Sequence, residues 1–170
     1  MERVYRYLRY LAYTIEILAF YIIEQIPNLI PHVNNVGPVI LLPVSAMIAL
    51  FEGSGVGLIF GFVIGLFLDC GATGNIGFYS VAVTCLSFLV GAAAEKIINF
   101  NLVTSVAIAT AFTLAVYALH FVVGFLLKGY IDAIYTLGNH YAIGFLYTSL
   151  LTPFVYFFNR AFAMTIRERE

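Results

Sequence analysis

GVGLIFGFVIGLFLDCGATGNIG, residues 55–77, is apolar enough for a membrane, yet it has Gly at 55, 57, 61, 65, 71, 74 and 77. Its one charge, Asp69, stands where the oily run ends. Gly53, Gly57, Gly61, Gly65 and Asp69 recur every four residues. On an α-helix, four steps of about 100° overshoot a full circle by roughly 40°, so these positions form a slowly turning ridge along one face. Glycines at that spacing let a second backbone approach closely, and van der Waals packing then replaces the hydrophobic drive that lipid does not supply. The spacing leaves open which helix the ridge meets: one from the same chain or one from a partner.

Asp69 is odd where it stands, because a carboxylate near a helix C-terminus opposes the macrodipole. It is expected to accept hydrogen bonds from backbone N–H groups of the Gly-rich turn that contains Gly71, Gly74 and Gly77, and so to cap the next helix. That makes it a polar anchor rather than a catalyst.

The rest of the chain fits a membrane setting. Its 170 residues are 62% hydrophobic and 10% charged, against roughly 45–50% and about 25% for soluble domains. A water-soluble fold of this size cannot hide so much apolar surface. The reading is an all-α polytopic membrane protein: one domain over 1–170, a bundle of six transmembrane helices at roughly 8–26, 36–51, 55–70, 76–94, 102–127 and 141–163. A full span needs about 20 residues, which the first, fourth, fifth and sixth supply. The second is short and holds Pro43, and Glu52-Gly53-Ser54-Gly55 joins it tightly to the third. That pair reads as two thin spans or as a re-entrant hairpin. Glu16 and the lack of a small-residue cleavage pattern argue against a removable signal peptide in the first segment.

Orientation follows the cations. With the N-terminus inside, Arg3, Arg6, Arg9, Lys96, Arg160, Arg167 and Arg169 are cytoplasmic and Lys128 alone is outside. Both termini are therefore expected in the cytoplasm. The outer stretch 128–140 reads as a short amphipathic segment on the membrane surface or a docking point for a partner.

Ionisable groups within a bilayer are functional hypotheses by default. Glu16 and His120 fall at similar depths and are expected either to pair or to make separate contacts. For Glu16 the alternatives are a protonated form bonded to a Tyr hydroxyl or a carbonyl, a proton or substrate site, or a partner's transmembrane helix. Glu24 and Gln25 are expected to reach water, and Glu95-Lys96 to be a solvated charge pair in a cytoplasmic turn. Cys70 and Cys85 lack metal-ligand spacing and read as small buried apolar residues without a disulfide or zinc. No catalytic or phosphate-binding motif can be assembled. The chain is thus not expected to be an enzyme, to hold a cofactor or metal, or to bind nucleic acid.

The segment Glu52-Gly53-x-Gly55-x-Gly57, the glycine ridge, and Gly65-Leu66-Phe67-Leu68-Asp69 followed by Gly71, Gly74 and Gly77 resembles the MreD family of bacterial rod-shape-determining membrane proteins. The length, the six spans and the short basic tail are also similar. The resemblance implies a non-enzymatic scaffold of the cell-wall elongation complex in the bacterial inner membrane. It would lie among membrane lipids and bind the transmembrane helix of MreC, with RodA, a class B penicillin-binding protein and MreB as further associates. It also implies a fold similar to the substrate-binding S components of energy-coupling-factor (ECF) vitamin transporters. Such a vitamin-binding subunit is the alternative function. Those subunits often carry Ala-x-x-x-Ala in the first span; here Ala12 is followed by Glu16 and Ala19 by Ile23, so that motif is missing.

Overall fold

The computed structural model describes residues 2–26, 29–34, 36–71, 77–96, 101–126 and 137–167. These form an all-helical bundle of six α-helices: α1 (Glu2–Gln25), α2 (Leu41–Glu52), α3 (Ser54–Gly71), α4 (Phe78–Ala94), α5 (Leu102–Phe121) and α6 (Ala142–Arg167). A wide π-helical turn, Val122–Leu126, continues α5, and another, Leu137–Tyr141, leads into α6. Most of the outer stretch read as amphipathic, 127–136, lies outside the described residues, as does Gly74.

The architecture is organised around its shortest helix. Every residue from Leu41 to Leu50 is buried, and α2 touches all five other helices. A helix apolar on every side has no polar face to turn toward water, and here the five neighbouring helices cover it and make it the centre of the bundle. Pro43 does not interrupt it. It sits in the first turn, where the backbone N–H it lacks would have no intrahelical partner. At 12 residues, α2 is about 18 Å long, well under the ~30 Å of a hydrocarbon core. The irregular backbone before it is enclosed by protein: Val36, Pro38 and Ile40 are buried, and the Val39 N–H donates to Thr148 Oγ1 on α6 at 3.0 Å. Non-helical backbone in a membrane protein is tolerated in such a setting.

Among the described residues, three helices are long and apolar enough to cross a membrane: Ser54–Gly71, Leu102–Gly124 and Ala142–Ala161. The sequence reading ranked the first and fourth segments above the third, and the helices fall out differently. In the described structure α4 has 17 residues. The 24 residues of α1 include Arg6, Arg9, Glu16 and Glu24, which lower its mean apolarity.

α2, α3 and α4 form the tightest part of the bundle. Gly53, with φ +86°, is not on the α3 ridge; it is the C-cap of α2 and turns the chain directly into α3. That backbone conformation favours glycine. Gly77, at φ +92°, plays the matching part at the N-cap of α4.

Candidate functional site

Viewed from α3, the glycine ridge faces its own chain. A Cβ built on Gly65 would lie 2.5 Å from Ser80 Cα, and one on Gly61 would lie 2.8 Å from Ser87 Cβ, both on α4. One on Gly57 would lie 2.8 Å from Ala49 Cβ on α2. These distances are shorter than carbon–carbon contact, so no side chain larger than hydrogen fits while the helices stay where they are. The opposing surface of α4 is also built of small residues. Ser80, Ser87, Gly91 and Ala94 are buried, and a Cβ on Gly91 would lie 2.6 Å from Ser54 Cα. Gly91 was not singled out from the sequence. The signal for it was the run of small residues on one helical face of α4.

Asp69, 7% exposed, reaches the first turn of α4. Its Oδ1 accepts the Tyr79 N–H at 3.0 Å, its Oδ2 accepts the Ser80 N–H at 2.9 Å, and the Ser80 hydroxyl also donates to Oδ2. The donors among the described residues therefore lie in α4 itself; residues 72–76 of the Gly-rich turn expected to supply them lie outside the described residues. Gly71 closes α3, where a Cβ would lie 3.0 Å from Gln25 Nε2. At the opposite end of the pair, Glu95 Oε1 accepts the Ser54 hydroxyl at 2.6 Å and the Ser54 N–H at 2.9 Å. Glu95 is exposed, as expected, but its charge is tied to α3 rather than simply solvated. The Ser54 hydroxyl and then the Ser54 amide hold its carboxyl below the usual carboxylate range.

Glu16 and His120 do not meet. Glu16, 2% exposed, accepts the Asn159 side-chain amide at 2.6 Å, linking α1 to α6. His120 stands in an aromatic group at the other end of the bundle. Its Nδ1 lies 2.7 Å from the Tyr141 hydroxyl, and its ring stacks on Tyr79 at 5.2 Å and meets Phe78 edge-on. Tyr79 thus joins two groups that the sequence kept apart, since its N–H bonds Asp69 and its ring covers His120. Matching depths along two spans says nothing about which faces turn toward each other, which is why the pairing failed. Asn159 gave no sequence signal beyond being a polar residue in an apolar run, 143 positions from its partner.

Three further expectations change. Glu24 does not simply reach water: its Oε1 accepts the Leu41 N–H at 3.0 Å and caps α2. Arg9, counted above as a cytoplasmic cation, is 8% exposed and forms a 2.7 Å ion pair with Glu52. The Tyr13 hydroxyl donates to the same Glu52 oxygen at 3.0 Å. Cys70 and Cys85 are free and exposed on the helix surface rather than buried, where apolar thiols suit a lipid-facing position.

Two concavities flank this framework. A cavity of 310 Å³ at the Glu24 end of α1 is lined by Tyr21, Glu24, Gln25, Phe67 and Tyr79, among others. A groove of 440 Å³ runs between α1 and α6, with Glu16 among otherwise apolar lining residues. Among the described residues, no group of three or more His, Cys, Asp or Glu side chains is placed to hold a metal ion.

A family model described as rod shape-determining protein MreD matches residues 5–162. No curated protein and no solved structure matches the chain.

Proposed function

Because the chain belongs to the MreD family of rod shape-determining membrane proteins, we propose that it is a non-enzymatic scaffold of the cell-wall elongation machinery. In this reading it binds the transmembrane helix of MreC and regulates peptidoglycan synthesis, with RodA, a class B penicillin-binding protein and MreB in the same assembly. It is a multi-pass protein of the bacterial inner membrane with cytoplasmic termini, the orientation favoured by its seven-to-one distribution of Lys and Arg.

One observation carries the scaffold reading. Five acidic side chains each bond to a helix other than their own: Glu16 to α6, Glu24 to α2, Glu52 to α1, Asp69 to α4 and Glu95 to α3. Carboxylates engaged in this way fix the relative positions of helices. Rigid placement is what a partner-binding platform needs, since an ordered surface loses less entropy on association.

The cavity at the Glu24 end of α1 favours a second reading, a small-molecule-binding subunit of a transporter. Purification from the native membrane separates the two. Recovery of MreC supports the scaffold; recovery of ATPase subunits or of a bound vitamin overturns it.

A further inference from the structure

We propose that Glu16 is a proton-binding site: its side chain is held as a neutral carboxylic acid that clasps the Asn159 carboxamide through two hydrogen bonds, so that a proton joins α1 to α6. The inference invokes no partner, and it stands or falls apart from the scaffold reading.

The balance of donors and acceptors carries it. Glu16 is 2% exposed and Asn159 0%. Asn159 Nδ2 donates to Glu16 Oε1 at 2.6 Å and to the Val155 carbonyl, one turn back on its own helix, at 3.3 Å. Both N–H bonds of the amide are then used. The Val155 carbonyl also fixes which end of the amide is nitrogen, because an oxygen in that place would face another acceptor. Glu16 Oε2 and Asn159 Oδ1 are left buried without a hydrogen-bond partner.

An ionised carboxylate only accepts. With Glu16 charged, both oxygens stay unmatched inside the bundle, and the charge is buried with them, which is costly in a low-dielectric setting. A carboxylic acid carries one O–H. Placed on Oε2 and directed at Asn159 Oδ1, that hydrogen gives each oxygen a partner and removes the charge. Carboxyl and carboxamide share the same forked shape, so the second bond closes beside the first.

The charged and titratable neighbours are engaged elsewhere. On α1, Arg9 pairs with Glu52 of α2, and the Tyr13 hydroxyl donates to that same acid. On α6, Arg160 donates to the Tyr156 hydroxyl. The groove that Glu16 borders is otherwise lined by apolar side chains. The contact between α1 and α6 is therefore proton-dependent: without its proton, Glu16 keeps one bond to Asn159 and becomes a buried charge.

Infrared spectra of the full chain in lipid bilayers at pH 7 test this. The expected result is a carbonyl-stretch band of a protonated carboxylic acid in the wild type, lost in Glu16→Gln and retained in Glu95→Gln. Gln matches Glu atom for atom and donates from Nε2 to the same Oδ1, so that variant should fold. Asn159→Leu removes the acceptor and should move the band to higher frequency, the mark of a carboxylic acid that has lost a hydrogen bond. Where Glu16→Gln does not fold, the shift in Asn159→Leu decides. A carboxylate band lost in Glu16→Gln in place of the acid band overturns the proposal, as it would if a buried water donated to both oxygens. An acid band that Asn159→Leu leaves unmoved overturns the clasp.

Discussion

Asp69 and Glu95 hold α3 and α4 together from opposite ends. Asp69, near the C-terminus of α3, accepts the first-turn N–H groups of α4; Glu95, just past the C-terminus of α4, accepts the N–H and hydroxyl of Ser54 at the start of α3. Each acid stands at the wrong end of its own helix for the macrodipole and at the right end of its antiparallel neighbour's. The glycine-lined contact between the helices brings those ends close enough for a short side chain to bridge.

Asp69→Ala should destabilise the protein by about 1–3 kcal/mol, because it leaves two N–H donors of α4 without their acceptor in a buried setting. Glu95→Ala, at an exposed site, should cost less. Thermal unfolding in detergent, followed by circular dichroism, ranks the two. An equal loss would contradict the burial argument.

Gly65→Ala and Gly55→Ala should differ in sign. At Gly65 the added carbon meets the α4 backbone at 2.5 Å, whereas at Gly55 it meets nothing within 4 Å. Overpacking at Gly65 should cost at least about 1–3 kcal/mol. The same change at Gly55, inside a helix, should gain roughly 0.5–1 kcal/mol. Unfolding midpoints of the two variants decide the matter, and a well-folded Gly65→Leu would refute the close-packing account outright.

Removing one partner of the Arg9–Glu52 pair should be worse than removing both. The side chains are 9% and 6% exposed, and an uncompensated buried charge costs roughly 3–5 kcal/mol. Glu52→Ala should therefore lower stability strongly, and Arg9→Met combined with Glu52→Leu should recover most of the loss. A double variant as unstable as the single one would show that the charge itself is not the cause.

The contribution of Glu95 should vanish in acid. Its carboxyl is held below the ordinary value by Ser54, so the folded state binds its proton less readily than the unfolded chain does. The stabilisation is complete above the unfolded pKa of about 4.3 and is lost as pH falls through the lower folded value. The difference in unfolding midpoint between wild type and Glu95→Gln should stay level from neutral pH to about pH 5 and shrink below pH 4. A difference that stays constant down to pH 3 would exclude this linkage. Other carboxyls titrate in both proteins and cancel.

Much of the fold is legible in the chain. The apolar segments, the Gly53 joint and the four-residue spacing of Gly57, Gly61 and Gly65 are local features, set by composition and by the 3.6-residue turn. The acid at the end of that spacing announces a need for donors, because its own helix offers none. The identity of those donors, Tyr79 and Ser80, depends on how α3 lies against α4, which no local pattern encodes.

The sequence by itself determined that this is an all-helical membrane protein with a glycine face on α3, and it carried the likeness to the MreD family. Tertiary structure decided that α2 is the buried centre, that the glycine face meets α4 and α2, and that Glu16 turns to Asn159 while His120 turns to Tyr141 and Tyr79. The physical reason is that hydropathy sorts inside from outside in water but not in lipid. Where both the protein interior and the surroundings are apolar, a Leu reads the same on either side. Packing among small residues, and the few hydrogen bonds that cross between helices, then settle which faces meet.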